Sequence, residues 1–92
     1  MRLFHAQLLW IHGLGPSSGS ATLARRGTHS SLSCTREAAQ IAYDMAGIGP
    51  EDIDVAEVHD CFTITEIINY EDLGFAKPGE GVKLLEDRET YL

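Results

Sequence analysis

Ninety-two residues make room for one small domain and not for two. A hydrophobic fraction of 43% belongs to ordinary globular material rather than to a disordered chain. The net charge of −7 is unevenly placed: residues 1–50 carry four basic against two acidic side chains, and residues 51–92 three basic against twelve acidic. So acidic a second half argues against nucleic acid and against an anionic membrane surface as partners.

Two cysteines without framework spacing suggest a reducing compartment and no disulfide scaffold. The opening Met1-Arg2-Leu3-Phe4-His5-Ala6-Gln7-Leu8-Leu9-Trp10-Ile11 is apolar after one Arg, but His5 and Gln7 interrupt it. It is too short to span a bilayer and no small-residue cleavage site follows it closely. The final Glu89-Thr90-Tyr91-Leu92 is not a peroxisomal address, so the cytoplasm is the expected location.

Residues 7–12 read as a strand, bounded by Gly13, Gly15 and Pro16. Residues 17–33 are polar and without a period, and a loop that long is usually functional or poorly ordered. Within it Arg25-Arg26 reads either as a solvated pair or as a phosphate clamp; isolated basic pairs are common on surfaces, which favours the first. Ser33 or Thr35 can cap a helix running to Ala46, with Ala38, Ala39, Ile41, Ala42, Met45 and Ala46 as its buried stripe. Gly47 suits a left-handed cap, and Gly49-Pro50-Glu51-Asp52 a tight turn.

The chain then reaches Val55-Ala56-Glu57-Val58-His59-Asp60-Cys61-Phe62, a short strand running into a helix. That second helix spans residues 63–73, with apolar residues at helical spacing and Gly74 as its stop. Residues i and i+2 of a strand share a face, so His59 and Cys61 are expected to project together. At a helix N-terminus a thiolate is favoured, and a nearby imidazole can exchange its proton. The bland reading stands beside this one: a lone cysteine is usually a small buried hydrophobe, a lone histidine a satisfied polar group. A metal site from His59, Asp60 and Cys61 with His5, His12 or His29 lacks the paired ligand spacing of structural zinc, so no metal is expected. Residues 75–81 are loop, and residues 82–92 fit a short helix or a frayed tail equally well.

The order strand, long loop, helix, strand, helix makes an α/β unit, a βαβα arrangement with parallel strands and an incomplete sheet. Two strands cannot form an independent sheet with both faces covered, so neighbours are expected to be missing.

The run from Ala38 to Phe62 resembles the C-terminal domain of a thiolase, and His59-Asp60-Cys61-Phe62 resembles the HDCF motif of the sterol-carrier, lipid-transfer type. The likeness continues through Glu71-Asp72-Leu73-Gly74 and Pro78-Gly79-Glu80-Gly81 to Glu86-Asp87, while Trp10-Ile11-His12-Gly13-Leu14-Gly15 is similar to the strand before the first helix. The resemblance implies one partial domain, with residues 1–34 as strand and loop and residues 35–92 as the best-matching region. It implies Claisen condensation or thiolysis of coenzyme A thioesters, with acyl-CoA as substrate and no tightly bound cofactor. His59 would help form an oxyanion hole and Cys61 would be the acid/base, supported by Asp60 and Phe62. The family's nucleophilic cysteine and its Gly-His-Pro loop have no counterpart here, and Cys34, expected in the loop before the first helix, matches neither. The chain is therefore expected to be inactive alone, needing the rest of a thiolase fold or self-associating. The alternative is a non-catalytic remnant, an interaction module that packs on a partner chain.

Overall fold

The computed structural model describes residues 7–91. The described residues form three α-helices, α1 (Ser33–Ala46), α2 (Thr63–Asp72) and α3 (Gly81–Glu86), with single 3-10 turns at Leu23–Arg25 and Pro50–Asp52. Among the described residues no strand forms, which overturns the expected α/β unit with its parallel pair. Residues 7–12 and 55–58 are both irregular, and neither finds a ladder partner. Alternating apolar residues signal extended backbone; they do not supply the second strand that its N–H and C=O groups need. The apolar opening up to residue 6, with His5, lies outside the described residues.

Helix α1 begins at Ser33 with Leu32 as its N-cap, not the expected Ser33 or Thr35, and no side chain of its own first turn caps it. At the other end Gly47 takes φ 70°, and Ile48 N–H reaches the Tyr43 carbonyl at 3.1 Å. Gly47 N–H meets the Asp44 carbonyl at 3.3 Å, which completes a Schellman motif. Ala39 is buried and Ala38, Ala42 and Ala46 half-buried, while Ile41 and Met45, expected in the stripe, face solvent. What covers the alanines is backbone. A side chain at Gly13 would collide with the Ala42 carbonyl, and one at Gly15 with the Ala38 carbonyl. Glycine on one side and alanine on the other allow this close approach.

Helix α2 ends at Asp72, one residue short of the expected Leu73, which is its C-cap. Gly74 follows with φ 87°, and a Cβ there would come within 2.9 Å of the Pro50 ring, so this turn seats on the Pro50–Asp52 turn. The undecided tail begins as α3, which starts one residue earlier, at Gly81, the last residue expected as loop; Gly81 is buried against Ile67 of α2.

Two adjacent carboxylates at the end of α2 tie the three helices together. Asp72 accepts hydrogen bonds from Ser31 Oγ at 2.6 Å and Leu32 N–H at 2.5 Å, and Arg36 Nε stands 3.9 Å away. Glu71 accepts from Gly81 N–H at 3.0 Å, at the start of α3. Tyr43 Oη donates to the Leu73 carbonyl at 2.8 Å, a second tie between α1 and α2. The radius of gyration, 15.8 Å, exceeds the roughly 12 Å of a compact domain this size, because residues 7–12 run out exposed. No helix among the described residues is long and apolar enough to cross a membrane.

Burial, then the charge of Glu51, pushes the Tyr43 phenol above its usual value. A raised phenol pKa means the folded state holds its proton more tightly. Its stabilising contribution is complete below the unfolded value of about 10 and is lost as pH rises through the folded value. Tyr43→Phe is expected to cost about 1 kcal/mol in urea unfolding near neutral pH. The variant should also lose stability less steeply than the parent above pH ~10.

Candidate active site

The stretch from Val58 to Phe62 approaches α2 without regular structure and enters it at Thr63. Phe62 is the N-cap residue, with φ −132° and ψ 148°, and offers no side-chain cap. The first turn of α2 is closed by the backbone instead, Thr65 N–H donating to the Phe62 carbonyl at 2.8 Å. Cys61 therefore stands one residue before the cap, at the mouth of the helix as the sequence suggests. Its thiol is exposed, and Cys61 Sγ lies 3.8 Å from Thr65 Oγ1.

His59 and Asp60 are exposed on the same approach. Among the described residues the His59 ring has no hydrogen-bond partner, but its backbone does: Asn69 Nδ2 donates to the His59 carbonyl at 3.2 Å. No hydrogen bond joins the His59 ring to the Cys61 thiol, whose near partner is Thr65 instead. Phe62 is 73% exposed and packs against nothing that would make it a wall.

Other residues earlier singled out lie elsewhere. Cys34 is not in a loop but in the first turn of α1, half-buried. Arg25 and Arg26 line a cavity of about 310 Å³ with Ser20, Thr28 and Cys34, and none of the residues from 59 to 62 lines it. There Arg26 Nε donates to the Ser20 carbonyl at 3.2 Å, folding the turn on itself. Among the described residues no three His, Cys, Asp or Glu side chains cluster to hold a metal ion.

The larger cavity, about 500 Å³, lies beside the loop rather than at it, between residues 53–58 and Glu66, Tyr70, Phe75 and Tyr91. Tyr70 Oη donates to Glu66 across its floor. Burial, then this hydrogen bond, raises the Tyr70 phenol above its usual value.

Sequence reasoning passed over the helix face that holds the loop. Asn69, Tyr70 and Asp72 are the buried residues of α2, although two of them are polar. The signal was available: Thr65 and Asn69 stand four residues apart, on one face of a helix, where apolar residues would give the better-packed stripe. Exposure and the helix mouth together predict that iodoacetamide modifies Cys61 before Cys34 in the folded chain, read by peptide mass. Equal rates would mean that the loop does not hold this form.

Against this geometry, the family model described as "Thiolase C-terminal domain-like" matches residues 15–92. The acetyl-CoA acetyltransferase of Methanocaldococcus jannaschii is 42% identical over 85 residues, 92% of this chain and 22% of that protein. The benzoylsuccinyl-CoA thiolase subunit BbsB of Thauera aromatica is 51% identical over 53 residues, 58% of this chain and 14% of that protein. Sterol carrier protein 2 of Bos taurus is 50% identical over 52 residues, 56% of this chain and 10% of that protein. The chain thus spans about a fifth or less of these relatives. With the family match running through both the loop and all three helices, the chain belongs to the thiolase C-terminal domain-like family.

Proposed function

We propose that this chain is one partial thiolase C-terminal domain and carries an active-site loop of a thiolase-type acyltransferase acting on coenzyme A thioesters. Cys61 is its acid/base and His59 its oxyanion donor, with Asp60 and Phe62 in support. The observation that carries this reading is the seat of Cys61: an exposed thiol just before the first turn of α2, in a chain of this family. In condensation the Cys61 thiolate takes a proton from the α-carbon of one acyl-CoA. The His59 ring N–H stabilises the negative charge that collects on the thioester oxygen. The α-carbon then attacks an acyl group carried on a second cysteine, a carbon–carbon bond forms, and that cysteine's sulfur leaves as thiolate. Thiolysis runs the same steps backwards, with Cys61 returning the proton.

This reading takes the acyl-carrying cysteine to be supplied from outside these residues, since Cys34, half-buried in the first turn of α1, matches no nucleophile of the family it resembles. The 92 residues alone are therefore expected to show no thiolysis of acetoacetyl-CoA above a Cys61→Ala control. Together with a chain supplying the nucleophile half of a thiolase, turnover should appear. There, Cys61→Ala should lower it by a factor on the order of 10²–10⁴ and His59→Ala by one on the order of 10²–10³. Turnover by the isolated chain above its Cys61→Ala control, or full activity of the assembled Cys61→Ala variant, would sink the assignment.

A second reading, an interaction module that packs on a partner, is favoured by the exposed apolar run Leu8, Leu9, Trp10 and Ile11. Unpaired backbone next to apolar side chains is a template for another strand. We expect the free chain to self-associate as concentration rises in sedimentation, and a concentration-independent monomer would contradict this. The cytoplasm is the location that accords with either reading.

A further inference from the structure

We propose that Asn69 is a positioning residue for the loop, a clamp through which α2 sets the path of residues 59–62; this rests on the role given above to Cys61. The loop descends along α2 through three successive ties. Asn69 Nδ2 donates to the His59 carbonyl at 3.2 Å, Cys61 Sγ lies 3.8 Å from Thr65 Oγ1, and the Phe62 carbonyl accepts from Thr65 N–H at 2.8 Å. The last of these is ordinary helix closure. Only the first anchors the loop upstream of the thiol, and among the described residues no other hydrogen bond ties the His59 and Asp60 backbone to the helix.

The residue type sharpens the point. Asn69 is 7% exposed and sits within a helix, where asparagine is a poor former and an apolar side chain would pack better. A buried amide is kept at such a place when its hydrogen bond does something packing cannot. Here the bond fixes a main-chain carbonyl two residues before the reactive sulfur, and so fixes the direction in which the next two side chains leave the backbone. Thr65, one turn earlier on the same face, then receives the thiol.

The test uses the folded chain and three variants. Asn69→Leu removes the donor and suits the helix; Asn69→Asp, close in size, removes it if the leucine fails to fold; Asn69→Gln keeps an amide on a longer arm. Tyr43→Phe, which loosens the α1–α2 contact without touching the loop, is the control for general destabilisation. Backbone 15N order parameters at residues 60–62 should fall by about 0.2 in Asn69→Leu, with partial recovery in Asn69→Gln. The Cys61 alkylation rate should change at least about threefold while that of Cys34 stays put. Tyr43→Phe should leave both readouts at the parent value. Unchanged order parameters at residues 60–62 in Asn69→Leu and Asn69→Asp, or an equal effect in Tyr43→Phe, would overturn the clamp. In the complete assembled enzyme, Asn69→Leu should lower kcat about tenfold with KM within twofold. Lowered loop order parameters with unchanged kcat would uphold the clamp and overturn the acid/base reading of Cys61 instead.

Discussion

The buried carboxylate of Asp72 is the constraint on which the arrangement of the helices depends. It closes α2 and, from forty residues away in the chain, receives Leu32 N–H and Ser31 Oγ where α1 begins. Helix α1 brings no cap of its own, so an acceptor from another helix does that work, and the negative charge suits the positive end of the α1 dipole. A buried carboxylate without partners would be costly. Its two donors and the Arg36 guanidinium nearby are what make the burial tolerable.

The same contact carries a local conflict. Glu71 and Asp72 put two negative charges in the last turn of α2, where that helix's own dipole is negative and the turn itself holds no basic residue. Each offsets this by capping a different neighbour: Glu71 reaches α3 and Asp72 reaches α1. Helix α2 is thus strained at one end to organise the others, while its opposite end bears the loop with His59 and Cys61. The distribution divides the helix into a structural end and an open one, and the exposure of Cys61 and Phe62 follows that division.

Much of this was legible in the sequence. The three-and-four spacing gave α2, Gly47 and Gly74 gave the left-handed stops, and Cys61 fell at the helix mouth where the motif implied. That no sheet forms among the described residues was not legible, because residues 55–58 announce a preference for extended backbone, whereas strand pairing needs a second segment at the right distance. The caps were missed for a related reason. Local rules look for Ser33 or Thr35 at the start of α1, whereas the acceptor is Asp72, which no window along the chain can connect to it. Asn69 was passed over because a polar residue in a helix is ordinarily read as its wet face.

The crossing of residues 13–15 over α1 has a metrical side. Two residues of extended chain cover about 6.6 Å, and four residues of helix about 6.0 Å, so Gly13 and Gly15 fall in step with Ala42 and Ala38. The chain runs opposite to the helix and the two scales agree for this short interval, as two rulers do where their marks coincide. Because the glycines meet main-chain carbonyls, what is gauged is spacing rather than side-chain identity. An added residue at Leu14 would put the marks out of step, whereas the exposed residues 21–30 can lengthen without disturbing them.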